Sequence, residues 1–365
     1  MDFTFTEEQQ MLRDMCRKFT ENEIKPLADK IDQNEEIPRE LIKKIAELGL
    51  MGISVPEEYG GGGFGEIGYC IMQEEIARGC ASTATFIGAH LSIGATGIML
   101  FGTEEQKQKY LRPLAEGKKI GAFALTESEA GSDASNIRSK AVLDGDYFIL
   151  NGSKMWITNG NLADLITVFV QTEVNGAGRG ISAFIIETQW EGFSVDKIEK
   201  KMGIHGSQTA AISFDNVKIP KENLLGGTGR GFIVAMRVLD VGRLGLGAAT
   251  LGAAKECIDL SVKYARERKQ FNQPIANFEA IQWMIAEMAA DAYAMENMVY
   301  RTAWMCDQGM RFSREAAIVK MFCSESLDRI VDKAVQIHGG IGYSREYKIE
   351  RMYRDARINK IFEGT

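Results

Sequence analysis

The stretch DYFILNGSKMWIT (residues 146–158) decides how this chain divides. Two strand-like apolar runs flank Asn151-Gly152, a pairing that predicts a two-residue hairpin turn. Trp156 and Thr158 stand two apart, so one strand would carry them on one face. There an indole beside a hydroxyl can hold a planar ring, or simply pack as half-buried strand surface. Further on, DLITVFVQTE, RGISAFIIETQ and AAISFDNVKI read as short strands separated by turn-forming breaks. Residues from about 120 to 225 therefore read as a β domain.

Helical patterns lie on both sides. Thr6 with Gln9, and Thr103 with Gln106, match capping boxes. RELIKKIAELGLMG repeats Leu41, Ile42, Ile45 and Leu48 at helical spacing and stops at glycine. Beyond GTGRG, Leu251, Ala254, Ile258, Val262 and Ala265 share one helical face. FEAIQWMIAEMAADAYAMENMVYRTAWMC is apolar around most of its circumference, which places it inside a bundle or at a subunit interface. No glycine fingerprint of a βαβ nucleotide fold occurs.

The chain has 365 residues, enough for two or three domains, and its 45% hydrophobic and 25% charged content is that of a globular protein. Net charge is −7, from 43 basic and 50 acidic residues, so no whole-chain attraction to nucleic acid or anionic lipid is expected. Six scattered cysteines without a CxxC, and three histidines, argue against a metal site or disulfide framework. MDFTFTEEQQ lacks a secretory signal pattern, and no run reaches the roughly 18 consecutive apolar residues of a membrane span. A cytoplasmic protein is the expectation.

Four segments carry candidate chemistry. ALTESEAGSDASNI (residues 124–137) is dense in hydroxyls and backbone donors, fit for a phosphate or polar ring or for a capped loop. YARERKQFNQPI (264–275) sets Arg266, Arg268 and Lys269 at a helix end, suited to the dipole, to solvent or to a pyrophosphate. The glycines of QIHGGIGY (336–343) allow a tight C-cap turn or close approach to a ligand. In IFEGT (361–365), Glu363 follows an apolar pair. It is either a frayed end or a carboxylate whose apolar setting raises its pKa and fits it for proton transfer.

Together FALTESEAGSD, MWITNG, DVGRLGLGAATLG, YARERKQF, QIHGGIGYSREYKIERMYRDARI and FEGT, in this order, resemble the acyl-CoA dehydrogenase family over essentially the whole chain. The resemblance is to its short- and medium-chain branch. It implies an α+β fold with an N-terminal helical domain (1–119), a middle β domain (120–227) and a C-terminal four-helix bundle (228–365), with a further helical segment expected past Thr365. It also implies FAD, an acyl-CoA substrate in fatty acid metabolism, an electron-transfer flavoprotein as partner, and a homotetramer built as a dimer of dimers.

Residue by residue, the resemblance makes Thr126 and Thr158 hydrogen-bonding partners of the flavin and packs Trp156 against its ring. Phe123, Leu125, Gly131 and Ile157 are cofactor-binding positions in the same motifs, and Ser132 lies at the FAD phosphates and the ligand mouth. Arg268, Gln270 and Phe271 reach the FAD of a neighbouring subunit, and Gln336, Gly339 and Gly340 border its adenosine half. Thr365 is a flavin neighbour. Arg243, Asp240 and Gly364 are substrate-binding, Tyr343 is a candidate acyl-cavity wall, and Glu363 is the base. Other branches carry their base immediately before the arginine matching Arg243, where this chain has Gly242. Dicarboxylyl-type relatives carry an arginine near CASTATF, where this chain has Ser82; that tilts against a glutaryl-type substrate.

The implied reaction is α,β-dehydrogenation. Glu363 takes a Cα proton, hydride leaves Cβ for the flavin, and a ribityl hydroxyl and the Glu363 N–H polarise the thioester carbonyl. Two alternatives are an oxygen-using flavoprotein of the same fold and a non-catalytic CoA- or flavin-binding scaffold.

Overall fold

A computed structural model describes residues 4–365. The N-terminal third holds α1 (Glu7–Phe19), α2 (Ala28–Asn34), α3 (Arg39–Glu47), α4 (Gly65–Gly79), α5 (Ala81–Gly88), α6 (Thr96–Phe101) and the short turns α7 (Glu104–Gln106) and α8 (Arg112–Ala115). Both capping boxes form: Thr6 and Thr103 each accept from the backbone three residues on, and Gln9 and Gln106 reach back. The helical run Ala81–Phe101 is long and apolar enough to cross a membrane by composition, but 67% of it is buried inside the protein. Its His90 is fully buried, with Nε2 facing the Met51 and Leu114 carbonyls and Nδ1 accepting the Gly121 N–H. That wiring is what a core helix makes and a lipid-facing one lacks.

The middle region folds into β1 (Gly121–Ala124), β2 (Lys140–Asp144), β3 (Tyr147–Thr158), β4 (Leu165–Val174), β5 (Ala177–Glu187), β6 (Phe193–Ile198), β7 (Thr209–Pro220) and β8 (Leu224–Leu225). The sheet order is β6-β7-β3-β2-β4-β5-β8, with β1 also on β4. It is mixed, because β1 and β2 both run parallel to β4. Ile166, Val168 and Val170 of β4 face the β-domain core, while Leu165 and Phe169 face the N-terminal helices. Burial on both faces explains why this strand reads as an unbroken apolar run.

Asn151-Gly152 is not the hairpin turn that the sequence predicts. The turn between β2 and β3 falls at Gly145-Asp146, and β3 continues through Asn151 with a bulge. Two contacts account for this. Asn151 Oδ1 accepts the Asn216 N–H at 2.8 Å, pinning β3 to β7. Gly152 lies so close to Ser139 that a Cβ there would fall 2.4 Å from its hydroxyl. A second bulge lies between Lys154 and Ile157, with Trp156 at φ 61, so simple alternation does not relate Trp156 to Thr158.

The last third is α9 (Gly231–Glu267), α10 (Glu279–Asp307), α11 (Ser313–His338) and α12 (Lys348–Ala356). Leu251 and Ala254 are buried on α9, as their spacing predicts. On α10, Met288, Met295 and Val299 face the core, while Trp283 and Tyr293 are 63% and 72% exposed. A buried polar knot joins the bundle to the N-terminal helices. Glu74 of α4 receives Arg13 at 2.9 Å, Lys255 at 2.8 Å and the Tyr300 hydroxyl at 2.6 Å. Asp32, His205 and Arg354 tie all three regions at the foot of α12. Among the described residues all six cysteines are free, and no acid, histidine and thiol group is arranged to hold a metal.

Candidate active site

α12 and the turn Arg357–Lys360 deliver the terminal loop to the middle of α9. Glu363 and Gly364 both have positive φ, 57 and 93, which turns the Glu363 side chain inward. Two cations hold the loop by its backbone: Arg243 Nε donates to the Glu363 carbonyl at 3.1 Å, and Lys320 Nζ donates to the Gly364 carbonyl. Glu363 as a residue is partly exposed, but its carboxylate Oε2 is buried and has no hydrogen-bond partner. Burial pushes this carboxyl up to about 7, against the opposing pull of Arg243 and Lys320.

The carboxylate rests on α9 at Gly242. A Cβ on Gly242 would stand 2.5 Å from Glu363 Oε2 and 2.9 Å from Ile93 Cγ2. Positions 242 and 363 therefore address one point in space from two elements. A side chain at 242 and the carboxylate of 363 exclude each other.

A second cluster gathers where β1 ends beside the β3 bulge. Thr126 is half-buried and its carbonyl accepts the Met155 N–H at 2.9 Å. Trp156, 52% exposed, is presented outward by its left-handed backbone, with half-buried Thr158 beyond it. Phe123, Leu125 and Ile157 pack inward, Phe123 against Phe169 at 4.7 Å, so they shape the cluster from beneath. Gly131 and Ser132 are exposed on the adjoining loop.

Buried Lys154 holds this cluster together. Its ammonium donates to the Leu125 carbonyl at 2.9 Å and to Glu127 Oε1 at 2.7 Å. Glu127 also accepts the Arg138 and Ser139 N–H groups, at 2.6 and 3.0 Å. Burial draws Lys154 down to about 8 against the pull of Glu127; despite its own burial, Glu127 is held below the usual carboxylate range by Lys154 and these amides. Lys154→Met strands the buried carboxylate, at a cost of about 3–5 kcal/mol. The expected outcome is a lower Tm and loss of flavin on gel filtration; an unchanged Tm with flavin retained would contradict this role.

Several of the other sequence candidates lie elsewhere. Arg268, Gln270 and Phe271 follow the end of α9, about 37 Å along the helix from Arg243. All are exposed, Phe271 at 86%. Gln336, Gly339 and Gly340 are exposed at the end of α11, where Gly339 has φ 61. Tyr343 needs correction as an acyl-cavity wall of this chain's own site. It is 86% exposed and lies beyond the end of α11, whereas the terminal loop touches α11 at Lys320, about 27 Å earlier. Asp240 is buried, accepts the Ser313 hydroxyl and lies 3.5 Å from Arg243. Ser82 is buried and accepts the Gly206 N–H at a domain junction. Gly364 and Thr365 are exposed beside the base. Sequence reading missed Lys320, Ile93 and the Lys154–Glu127 pair, for which no local pattern exists.

The donor set suits FAD. An outward indole, two half-buried threonines and an exposed Gly-Ser loop offer a ring platform, hydroxyl partners and backbone amides. Family models agree. Those described as acyl-CoA dehydrogenase N-terminal, middle and C-terminal domains match residues 6–118, 122–217 and 229–365. A short-chain-specific acyl-CoA dehydrogenase of Clostridium acetobutylicum is 44% identical over 100% of this chain and 96% of its own. The CarC subunit of a caffeyl-CoA reductase–Etf complex of Acetobacterium woodii is 44% identical over 99% and 96%. The structure of an acyl-CoA dehydrogenase complexed with FAD from Bacillus anthracis superimposes with a TM-score of 0.94 at 43% identity, covering 99% of this chain and 65% of that one. With three domain models matched in order and this identity along the whole chain, the protein is an FAD-dependent oxidoreductase and belongs to the acyl-CoA dehydrogenase family, near its short- and medium-chain members.

Proposed function

We propose that the chain moves two electrons and a proton between the Cα–Cβ bond of an acyl-CoA thioester and FAD, with dehydrogenation to a trans-2-enoyl-CoA as the leading direction. The observation that carries this reading is the Glu363 carboxyl: buried, unpartnered at Oε2, and raised to about 7. In its ionised form it takes the Cα proton. Its loop, fixed by Arg243 and Lys320 through carbonyls alone, leaves the carboxylate free for that transfer and the Glu363 N–H free to polarise the thioester carbonyl. Thr126, Trp156 and Thr158 would hold FAD, which would supply the two-electron acceptor or donor.

A second reading is reduction of an enoyl-CoA. A carboxyl at about 7 is part protonated at neutral pH and can return the proton to Cα, and the Acetobacterium woodii relative is a reductase subunit. That relative also supports an electron-transfer flavoprotein as partner. The exposed Arg268–Phe271 segment, about 37 Å from Arg243 along one rigid helix, supports service to a neighbouring subunit's cofactor and hence a homo-oligomer, of which the tetramer is the form the family resemblance implies. Exposed Trp283 and Tyr293 on α10 offer an apolar face for such assembly.

Anaerobic mixing with a panel of acyl-CoA thioesters tests the function. Flavin bleaching supports it, and no bleaching with any thioester, together with no oxidation of the reduced flavin by enoyl-CoA, would sink it. Rapid reaction of the bleached flavin with admitted air would point instead to an oxygen-using enzyme. The pH dependence follows from Glu363. Bleaching by acyl-CoA is expected to rise through about pH 7 as the base ionises, while enoyl-CoA reduction falls over the same window. A flat profile for both would contradict a titrating base.

A further inference from the structure

The two cations that grip the terminal loop stand differently. Arg243 of α9 lies 3.5 Å from Asp240, so its charge has a carboxylate beside it as well as the Glu363 carbonyl. Lys320 of α11 has no such neighbour. It is only 5% exposed and its ammonium donates to the Gly364 carbonyl, yet among the described residues no carboxylate lies within ion-pair distance of it. A buried ammonium is costly unless an opposite charge stands near. The acid whose charge reaches it is Glu363: burial draws Lys320 down, Glu363 pulls it up, and Arg243 works against Glu363. The coupling is reciprocal, because Arg243 and, after it, Lys320 oppose the burial that raises Glu363. The path of the loop arranges this. Glu363 turns its carboxyl towards Gly242 of α9, and Gly364 turns its carbonyl towards α11. A Cβ on Gly364 would lie 3.4 Å from Arg243 Nη2, so guanidinium and ammonium flank one residue. Tyr69 of α4 also feels the Glu363 charge, but burial keeps its phenol protonated.

We propose that Lys320 is the counter-charge of the catalytic base, a positioning residue that acts through Glu363 by keeping its carboxylate ionised, and so tilts the site towards taking the Cα proton rather than returning it. This deepens the α,β-redox reading above and rests on it. Arg243 exerts the larger pull on Glu363, but Asp240 shares its charge, whereas the charge of Lys320 faces the base without a competing carboxylate. An opposite charge nearby favours the ionised form of a carboxyl. Without the ammonium, the form of Glu363 that accepts a proton becomes scarcer at any given pH, and the form that donates one becomes commoner.

The test is the pH profile of anaerobic flavin bleaching, read as a second-order rate constant in FAD-loaded enzyme. The probe is butyryl-CoA, or the fastest thioester of the panel if butyryl-CoA does not bleach. Lys320→Met removes the charge and the bond to Gly364. Lys320→Gln removes the charge but keeps an N–H donor, and Lys320→Arg keeps both. The Met and Gln variants should each move the midpoint up from about pH 7 by about one unit or more, the scale of a nearby opposite charge. Below the midpoint that shift lowers bleaching about tenfold, while oxidation of the reduced flavin by enoyl-CoA extends to higher pH. Lys320→Arg should keep the wild-type midpoint. A purely structural clamp would slow Lys320→Met at every pH without moving the midpoint, and Lys320→Gln would restore the rate; that result overturns the proposal and leaves the function intact. A measurement without turnover covers a variant too slow to follow. At pH 8, Glu363→Gln should raise Tm more in the Lys320→Met background than in the otherwise wild-type chain, because the ionised carboxylate there lacks its counter-charge. An equal change in both backgrounds also overturns the proposal. A wild type that bleaches with no thioester, and whose reduced flavin no enoyl-CoA oxidises, overturns the function and the proposal with it.

Discussion

Replacing Glu363 by glutamine is expected to leave FAD and thioester binding intact while slowing flavin bleaching about 10³-fold, the scale of a lost positioned base. The amide matches the carboxylate in size, so the space between Gly242 and Ile93 stays filled. The Arg243 and Lys320 contacts reach backbone carbonyls, which the substitution does not touch. What disappears is the proton acceptor. Stability moves the other way. Glu363 binds its proton more tightly folded than unfolded, so its contribution is full below about pH 4.5 and is lost as pH rises through about 7. The glutamine variant has no such loss, and at pH 8 it should melt no lower than wild type. Bleaching near the wild-type rate in a variant that retains FAD would remove Glu363 from the mechanism.

Gly242→Ala is expected to lower the bleaching rate about 10²-fold without unfolding the protein, the cost of displacing a reacting group by about 1 Å. Helix propensity alone favours alanine inside α9 by roughly 1 kcal/mol. The new methyl, however, would stand 2.5 Å from Glu363 Oε2, closer than van der Waals contact permits. The carboxylate gives way first, because its side chain has no hydrogen bond at Oε2 to hold it and sits on a two-residue left-handed turn. The reciprocal change makes the same point. Gly242→Glu combined with Glu363→Gly puts a carboxylate from α9 into the volume the terminal loop now supplies. It should recover more bleaching than Glu363→Gly alone. Stopped-flow absorbance of the flavin reads both experiments, and a Gly242→Ala enzyme as fast as wild type would show that the base does not need this contact.

The helix–sheet–helix division was legible because it rests on local signals: caps at Thr6 and Thr103, the 3.6 periodicity around Leu251, and the apolar run of β4. The hairpin at Asn151-Gly152 misled because Asn-Gly also suits a bulge, and long-range contacts to Asn216 and Ser139 decided between them. For the site, the terminal motif marked Glu363, but its burial depends on α9 and Ile93, more than 100 residues away in sequence. Lys154 and Glu127 carry no local signal in the sequence. Their pairing emerges only when β3 lies beside the end of β1. Tyr343 entered as a cavity wall only through the family resemblance, yet the length of α11 carries it away from the base.

Deuterium washout from α-deuterated butyryl-CoA, followed by NMR with FAD-loaded enzyme and no external electron acceptor, tests Glu363 as the group that moves the Cα proton. Reversible transfer by the wild type should release the label to water, and Glu363→Gln with bound FAD should retain it. Washout by the variant at the wild-type rate would contradict the account.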